Sequence, residues 1–526
     1  MSGLREAAER RIIRALGSIG TATLASRILG FVRDMVVALA FGAGPVTDAF
    51  FVAFRIPNML RRLLAEGALS TAVIPVFSEY LVKRPRPELL RMLRAVLTAT
   101  LIGLLATTAA GIVLAPWIVR VIAPGFSADA GHHALAVLLT RVMFPYLVLV
   151  GLGALAVGLL NAEGRFFAPA LGPALLNVGM ITSVLALAGR LDPPILALAI
   201  GVLVGGVAQL AIQLPGLARL GLLVPPSREL AHPALARILG LLGPSVFGLA
   251  AVQVTVFVNT LLASLLAPGS ISFLYYADRV MEFPLGVFGI ALASASLPTM
   301  SRQAAAGDTR GIADTLNFAL RLSFWISVPA SVGLVVLRTP ITRVLFERGR
   351  FSAADTDATA VALAWYALGL AGFSASRIAA QAFYAIGEPA TAVRMGIVSV
   401  AANIVAAVFL MTPLAHGGLA LASSVAAYVN LMALAVAARR RFGRIGGRAL
   451  AASVARTVTA AVALAVWSAA LVWLWPVRAR LLIEVIWLAV AIGGGVGIYC
   501  GTSLALGASE PRVLLQIVSR RRRVDA

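Results

Sequence analysis

Several arginines sit inside stretches that otherwise read as membrane helices. Arg27 and Arg33 interrupt TATLASRILGFVRDMVVALAFG, Arg61 lies in FRIPNMLRRLLAEGALSTAVIPVF, and Arg279 lies in FLYYADRVMEFPLGVFGIALA. A cation at the bilayer centre costs roughly 2.5–3.5 kcal/mol on insertion scales, so a set of them calls for an internal, water-filled cavity. Guanidinium is planar, multidentate and permanently charged, which suits phosphate and pyrophosphate. Excess arginine therefore points to an anionic headgroup, whereas an exporter of cations would carry an excess of Asp or Glu. Arg27 and Arg33 are six residues apart, about 120° around and ~9 Å along a straight helix. One regular face cannot present both equally, so a bend is expected, with Gly30 available for it. Asp34 shares the face of Arg27 one heptad on and is a candidate to pair across to a basic residue. Arg62 has Glu66 at i+4, a spacing that ties an arginine to an acid on a helix. Arg279 is flanked by Asp278 and lies three residues before Glu282. A buried ion pair, or snorkelling to an interface, is the competing reading of each cation taken singly. It explains the set less well, because the arginines exceed the nearby acids.

The elements that must position these residues follow from composition. The chain has 526 residues, 60% hydrophobic and 13% charged, and its mean hydropathy is +0.94. That profile belongs to an all-α polytopic membrane protein. The net charge of +22 falls mostly in short connections between apolar runs, the positive-inside pattern, which argues against a nucleic-acid partner. With ~20 apolar residues per crossing, about fourteen spans are expected, near 13–42, 47–80, 93–119, 134–161, 168–189, 194–214, 237–266, 270–300, 317–337, 357–386, 390–411, 417–438, 452–475 and 481–506. The basic runs at Lys83–Arg86, Arg302–Arg310, Arg439–Arg448 and Arg520–Arg523 place both termini in the cytoplasm; Arg338–Arg350 is an exception on the opposite side. The N-terminus lacks a cleavage site of small residues and reads as a cytoplasmic lead-in.

A weak internal repeat relates FFVAFRIPNML…GALSTAVIPVFSEY to FLYYADRVMEFPLGVFGIALASASLPTMSRQ, aligning Pro75 with Pro298 and Phe50-Phe51 with Phe273-Leu274. Two six-helix lobes of like orientation are expected around a central cavity. The organisation is then an N-lobe over 1–214, an amphipathic cytoplasmic linker over 215–236, a C-lobe over 237–438, a basic loop over 439–451, two extra helices over 452–506 and a basic tail over 507–526. Pro225-Pro226 makes the linker a poor continuous helix, and its Arg/Leu mixture suits the membrane surface. The glycines of Gly201-Val-Leu-Val-Gly205 fit close helix packing. No phosphate loop, HExxH or Gly-x-Ser-x-Gly elbow is present, so an enzyme is not indicated. The lone Cys500 excludes a disulfide framework, His132-His133 reads as a solvated pair, and no metal or other cofactor is expected.

At this point longer motifs carry a resemblance. ASRILGFVRDMVVALAFGAGPVTDAFFVAFRIPNMLRRLLAEGALSTAVIPVFSEY closely resembles the N-terminal signature of the lipid II flippase family (MurJ, or MviN). NTLLASLLAPGSISFLYYADRVMEFPLGVFGIALASASLPTMSR resembles its second-lobe signature, and APGF at 123–126, FPY at 144–146 and LLNVGMI at 175–181 extend the match. The resemblance implies a fold of the multidrug/oligosaccharidyl-lipid/polysaccharide exporter type. It also implies transfer of undecaprenyl-pyrophosphate-linked peptidoglycan precursor to the outer leaflet of the cytoplasmic membrane. Carried over by motif, the headgroup-binding residues are Arg27, Arg33, Arg61 and Arg279, with Ser26. Asp34, Asp48, Arg62, Glu66, Asp278 and Glu282 are expected to serve the cavity or its gating. Lipid II, the phospholipid bilayer and cell-wall synthesis proteins are the partners so implied, and the two extra helices would hold the polyprenyl chain. An exporter of another polyprenyl-pyrophosphate-linked oligosaccharide is the alternative, and a scaffold of the cell-wall machinery without transport is a reading of a different class. The spans near 237–266, 390–411 and 417–438 contain no Asp or Glu, only Asn259 and Asn403, which favours membrane potential over a sodium gradient as the driving force.

Overall fold

Inside a bilayer a backbone N–H finds no water, so each apolar run must satisfy its own hydrogen bonds, and helix is the solution open to a single segment. The computed structural model describes residues 24–61, 70–228, 230–476 and 480–511, leaving aside the side chains of 70–71 and 242–252. The described residues form helices and connections without strands. Ten helices among them are long and apolar enough to cross a membrane. The chain is a multi-pass membrane protein.

One compact unit comprises residues up to Ser272 together with Arg348–Phe351. Its helices are α1 (24–41), α2 (Pro45–Leu60), α3 (Ser70–Lys83), α4 (Arg86–Ile122), α5 (Ala130–Met143), α6 (Tyr146–Ala162), α7 (Phe167–Leu187), α8 (Leu196–Ala211), α9 (Leu214–Arg219) and α10 (Pro233–Ser264). Starts are marked chemically: prolines open α2, α4 and α10, and Asp129 caps α5 by accepting from Gly131 N at 2.9 Å. Helices α7 and α8 meet backbone to backbone. A Cβ added at Gly179 would lie 2.5 Å from Gly205 Cα, and one at Gly201 2.7 Å from Met180 Cα, so the small residues set that approach. The connection after α9 carries no helix over the described residues 222–228 and 230–232. It is pinned where Arg86 donates to the Leu220 carbonyl and Ser227 N donates to Thr98 Oγ1 at 2.8 Å. Leu222 packs there among Val76, Phe77 and Leu93 in an apolar cluster. The Arg348–Phe351 return is equally close: Arg350 N donates to the Leu39 carbonyl at 3.0 Å. Gly42 (φ +70°) and Gly349 (φ +60°) make room, since a Cβ on either would press a carbonyl oxygen at 2.5 or 2.3 Å.

The second unit holds Phe273–Glu347 and Ser352 onward. It contains most of α11 (Ser270–Pro284), then α12 (Ile290–Ala305), α13 (Thr309–Val336), α14 (Arg338–Phe346), α15 (Ala353–Leu368), α16 (Leu370–Ala385), α17 (Pro389–Phe442), α18 (Gly447–Trp473) and α19 (Leu481–Ala505). Pro284 cannot donate an N–H, and the five residues after it, Leu285–Gly289, wind as a π-helical turn between α11 and α12. α17 breaks at Ala415 (φ 47°, ψ −131°), two residues beyond Pro413, so it runs as two helices where the sequence expects spans at 390–411 and 417–438. A core of Met300, Leu316, Leu320, Ile378, Phe383 and Leu434 joins α12, α13, α16 and α17. Trp473, Phe409 and Leu482 are more than two-thirds exposed, the pattern of side chains that face lipid tails.

Candidate functional site

The α1 cations divide sharply. Arg27 is exposed and has no hydrogen bond or ion pair among the described residues. Arg33, one and two-thirds turns later, is buried. Its Nε and Nη2 both donate to Asp34 Oδ1, at 3.0 and 2.6 Å, and its Nη1 reaches Met180 Sδ at 4.0 Å. Asp34 is 1% exposed, so the two side chains neutralise one another inside the unit. The base that Asp34 meets in this unit is its own neighbour in sequence. Neighbours in sequence seldom face one another on a helix, but arginine is long enough to fold back onto the next carboxylate. Ser26, half-buried beside Arg27, lends its carbonyl to Asn177 Nδ2 at 3.3 Å.

On α2, Asp48 is 2% exposed and holds the corner where α10 gives way to α11. Its Oδ2 accepts from Gly269 N at 2.6 Å, while Oδ1 accepts from Ser272 N at 2.8 Å and Ser272 Oγ at 2.6 Å. This carboxylate supplies the cap that α11 lacks in its own sequence. Arg61, at the end of α2, is half-buried and donates from Nε to Asn58 Oδ1 at 3.0 Å. Arg62 and Glu66 lie outside the described residues. In the second unit Arg279 pairs through Nη1 with Glu282 Oε2 at 3.0 Å, the former one-third and the latter one-half exposed; Asp278 beside it is half-buried.

One cation escaped the sequence reading. Arg55, half-buried in mid-α2, donates to the hydroxyl of Thr260, a fully buried residue of α10. The signal was present: Arg55 interrupts AFFVAFRIPNML as plainly as Arg61 does. Within the unit Arg55 stands seven residues after Asp48, on the same helical face. No group of three or more metal-ligating side chains occurs among the described residues. Asn403 is buried, and its only described partner is Ser423 Oγ at 3.4 Å.

The family described as lipid II flippase MurJ matches residues 37–487. The chain belongs to the lipid II flippase family. Among its relatives, the lipid II flippase MurJ of Burkholderia cenocepacia is 37% identical over 434 residues, covering 82% of this chain and 84% of that protein. The probable lipid II flippase MurJ of Vibrio cholerae is 38% identical, covering 81% and 82%. A solved structure of lipid II flippase MurJ in an inward closed conformation aligns with a TM-score of 0.78 at 24% identity, over 94% of this chain and 99% of that one. An inward-facing multidrug resistance MATE transporter of the MOP superfamily aligns at 0.64 and 16% identity, over 80% of this chain and 95% of that one. The structural likenesses fix the fold: an all-helical transporter architecture that flippase-family members share with MATE-type exporters. A flippase family carries its substrate across unchanged, so membership makes this chain a transporter rather than an enzyme.

Proposed function

We propose that this protein moves lipid II, the undecaprenyl-pyrophosphate-linked peptidoglycan precursor, from the inner to the outer leaflet of the bacterial cytoplasmic membrane. Arg27 carries the reading: an exposed guanidinium in an apolar helix, with no acidic partner among the described residues, within a chain of the flippase family. An uncompensated intramembrane cation is tolerable only where an anion or water meets it. Arg27, Arg61 and Arg279, with Ser26, bind the pyrophosphate by charge-assisted, multidentate hydrogen bonds. Arg33 contributes only as its Asp34 partner is displaced or shared, since its charge is already met. The headgroup crosses by alternating access of two six-helix lobes, 1–214 and 237–438. Asp48, Asp278, Glu282, Arg62 and Glu66 serve gating, and α18 and α19 hold the polyprenyl chain in the bilayer.

Both termini face the cytoplasm, and an inside-negative potential, worth ~2.3 kcal/mol per charge per 100 mV, drives the anion outward. Cell-wall synthesis proteins receive the product. The test is depletion of the protein followed by identification of the lipid-linked intermediate that accumulates in the inner leaflet. Accumulated lipid II supports the reading; accumulation of a different polyprenyl-linked glycan, or of none, overturns it. Dissipating the potential at constant sodium and pH is expected to stall transfer, and undiminished transfer would reject the driving force.

A further inference from the structure

Positions 317, 321 and 325 of α13 are four residues apart and share one face with about 40° of drift per step. All three reach toward the C-terminal helix pair. Asn317 Nδ2 donates to the Ile445 carbonyl at 2.7 Å and the Gly446 carbonyl at 3.1 Å, in the turn that opens α18. Gly446 has φ +69°, and a Cβ there would approach Asn317 Nδ2 to 2.9 Å, so glycine is needed on both counts. Arg321 donates from Nε and Nη2 to Glu510 Oε1, at 2.9 and 2.6 Å, and from Nη2 to Ser509 Oγ at 2.6 Å. Ser453 Oγ of α18 donates to the same Glu510 oxygen at 2.8 Å. One turn on, the Trp325 carbonyl accepts from Tyr499 Oη at 2.6 Å, and Trp325 Nε1 donates to Ser503 Oγ of α19 at 3.3 Å. Leu322, Ala460, Ala461 and Leu464 fill the space between.

Apolar packing alone associates helices weakly in lipid, so polar contacts and small residues fix register there. Glu510 is 3% exposed, and a carboxylate so enclosed is tolerable only with its cation in place. We infer that the Asn317–Arg321–Trp325 face is a docking seam that fastens α18, α19 and the Glu510 turn to α13 as one rigid body. The last two helices then travel with α13 through the transport cycle and do not swing on their own. For function the inference rests on the reading of α18 and α19 as the holder of the polyprenyl chain, because a fixed seam keeps that holder at constant width.

The test uses the full-length protein in lipid nanodiscs with Cys500→Ser, and spin labels at exposed Phe318 of α13 paired in turn with Val462 of α18 and Val496 of α19. The expected result is one narrow distance distribution per pair, the same with and without added lipid II. Glu510→Ala and Arg321→Ala should broaden both distributions, and Glu510→Gln, which keeps the volume, should broaden them less. The exchange Arg321→Glu with Glu510→Arg should narrow them again, which a general loss of fold would not do. Distances that change when lipid II is added to the unaltered seam, or that stay narrow in Glu510→Ala, overturn the inference. A seam that loosens while lipid II transfer in vesicles stays at its original rate upholds the seam and instead refutes the polyprenyl-holder reading.

Discussion

Removing the Asp48 carboxylate should open the α10–α11 corner by an amount that can be worked out in advance. The side chain accepts three hydrogen bonds, two from backbone N–H groups and one from a hydroxyl, in a place where it is 2% exposed. In Asp48→Ala the Ser272 hydroxyl can turn elsewhere, but Gly269 N and Ser272 N cannot. A buried donor left unmade costs about 1–3 kcal/mol, and a lost N-cap about 1. The two describe partly the same loss, so a local destabilisation of about 3 kcal/mol is expected, or roughly a hundredfold in the opening equilibrium. Asp48→Asn is not a mild version of this change. If its oxygen keeps the two Ser272 bonds, its amide N–H2 faces Gly269 N, donor against donor, so more than half of the loss should remain. Hydrogen–deuterium exchange in nanodiscs reads the effect directly at peptides spanning 266–275. Protection there should fall about a hundredfold in Asp48→Ala and by a lesser, still large factor in Asp48→Asn. Unchanged exchange at Gly269 and Ser272 in Asp48→Ala would refute the cap.

Arg27→Ala should abolish complementation of a depleted strain while the protein still inserts in normal amount; growth at the original rate would show that Arg27 meets no substrate. Arg33→Ala should lower the folded yield instead, because the buried Asp34 carboxylate loses the hydrogen bonds that Arg33 donates to it, each worth about 1.5–3 kcal/mol to a charged group. Adding Asp34→Asn should restore the yield, measured by size-exclusion chromatography, and recovery of transport as well would make the pair purely structural. Gly179→Leu should separate α7 from α8 and lower the thermal midpoint followed by tryptophan fluorescence, since even a Cβ meets the Gly205 backbone at 2.5 Å. Burial pushes the Glu510 carboxyl up, but hydrogen bonds from Ser453, its own backbone N–H and Arg321 outweigh it, and the group titrates below the ordinary glutamate range. A depressed carboxyl stabilises the folded form above its unfolded pKa, and that contribution is lost only as pH falls through the lower folded value. The α13–α19 label distances should therefore hold from neutral into mildly acidic buffer and broaden at stronger acid.

That the chain is all-helical and multi-pass was legible because apolar length dictates it; the break at Ala415 beyond Pro413 and the π-helical turn after Pro284 came from the structure. The arginines within apolar runs, Arg27, Arg33, Arg61 and Arg279, could be picked out from the sequence alone. The partners of those charges could not. Arg33 and Asp34 are adjacent, and helical spacing gives no reason for neighbours to bond. The Asp48 partners lie more than two hundred residues away in sequence, and so does Thr260, to which Arg55 donates. The seam on α13 escaped for a similar reason. Asn317, Arg321 and Trp325 are of three chemical types, and their common face becomes visible only once α18 and α19 lie against it.

The short return of Arg348–Phe351 bears on how the protein is made. Its Arg350 N–H is the partner of the Leu39 carbonyl at the end of the first helix, yet the ribosome reaches residue 350 only after roughly three hundred further residues. At ~5–20 residues per second that interval is about 15–60 s. The first unit therefore cannot be finished in the order in which it is synthesised. Its nascent form leaves the Leu39 acceptor and the Gly42 notch open until residues 273–347 of the second unit have been made.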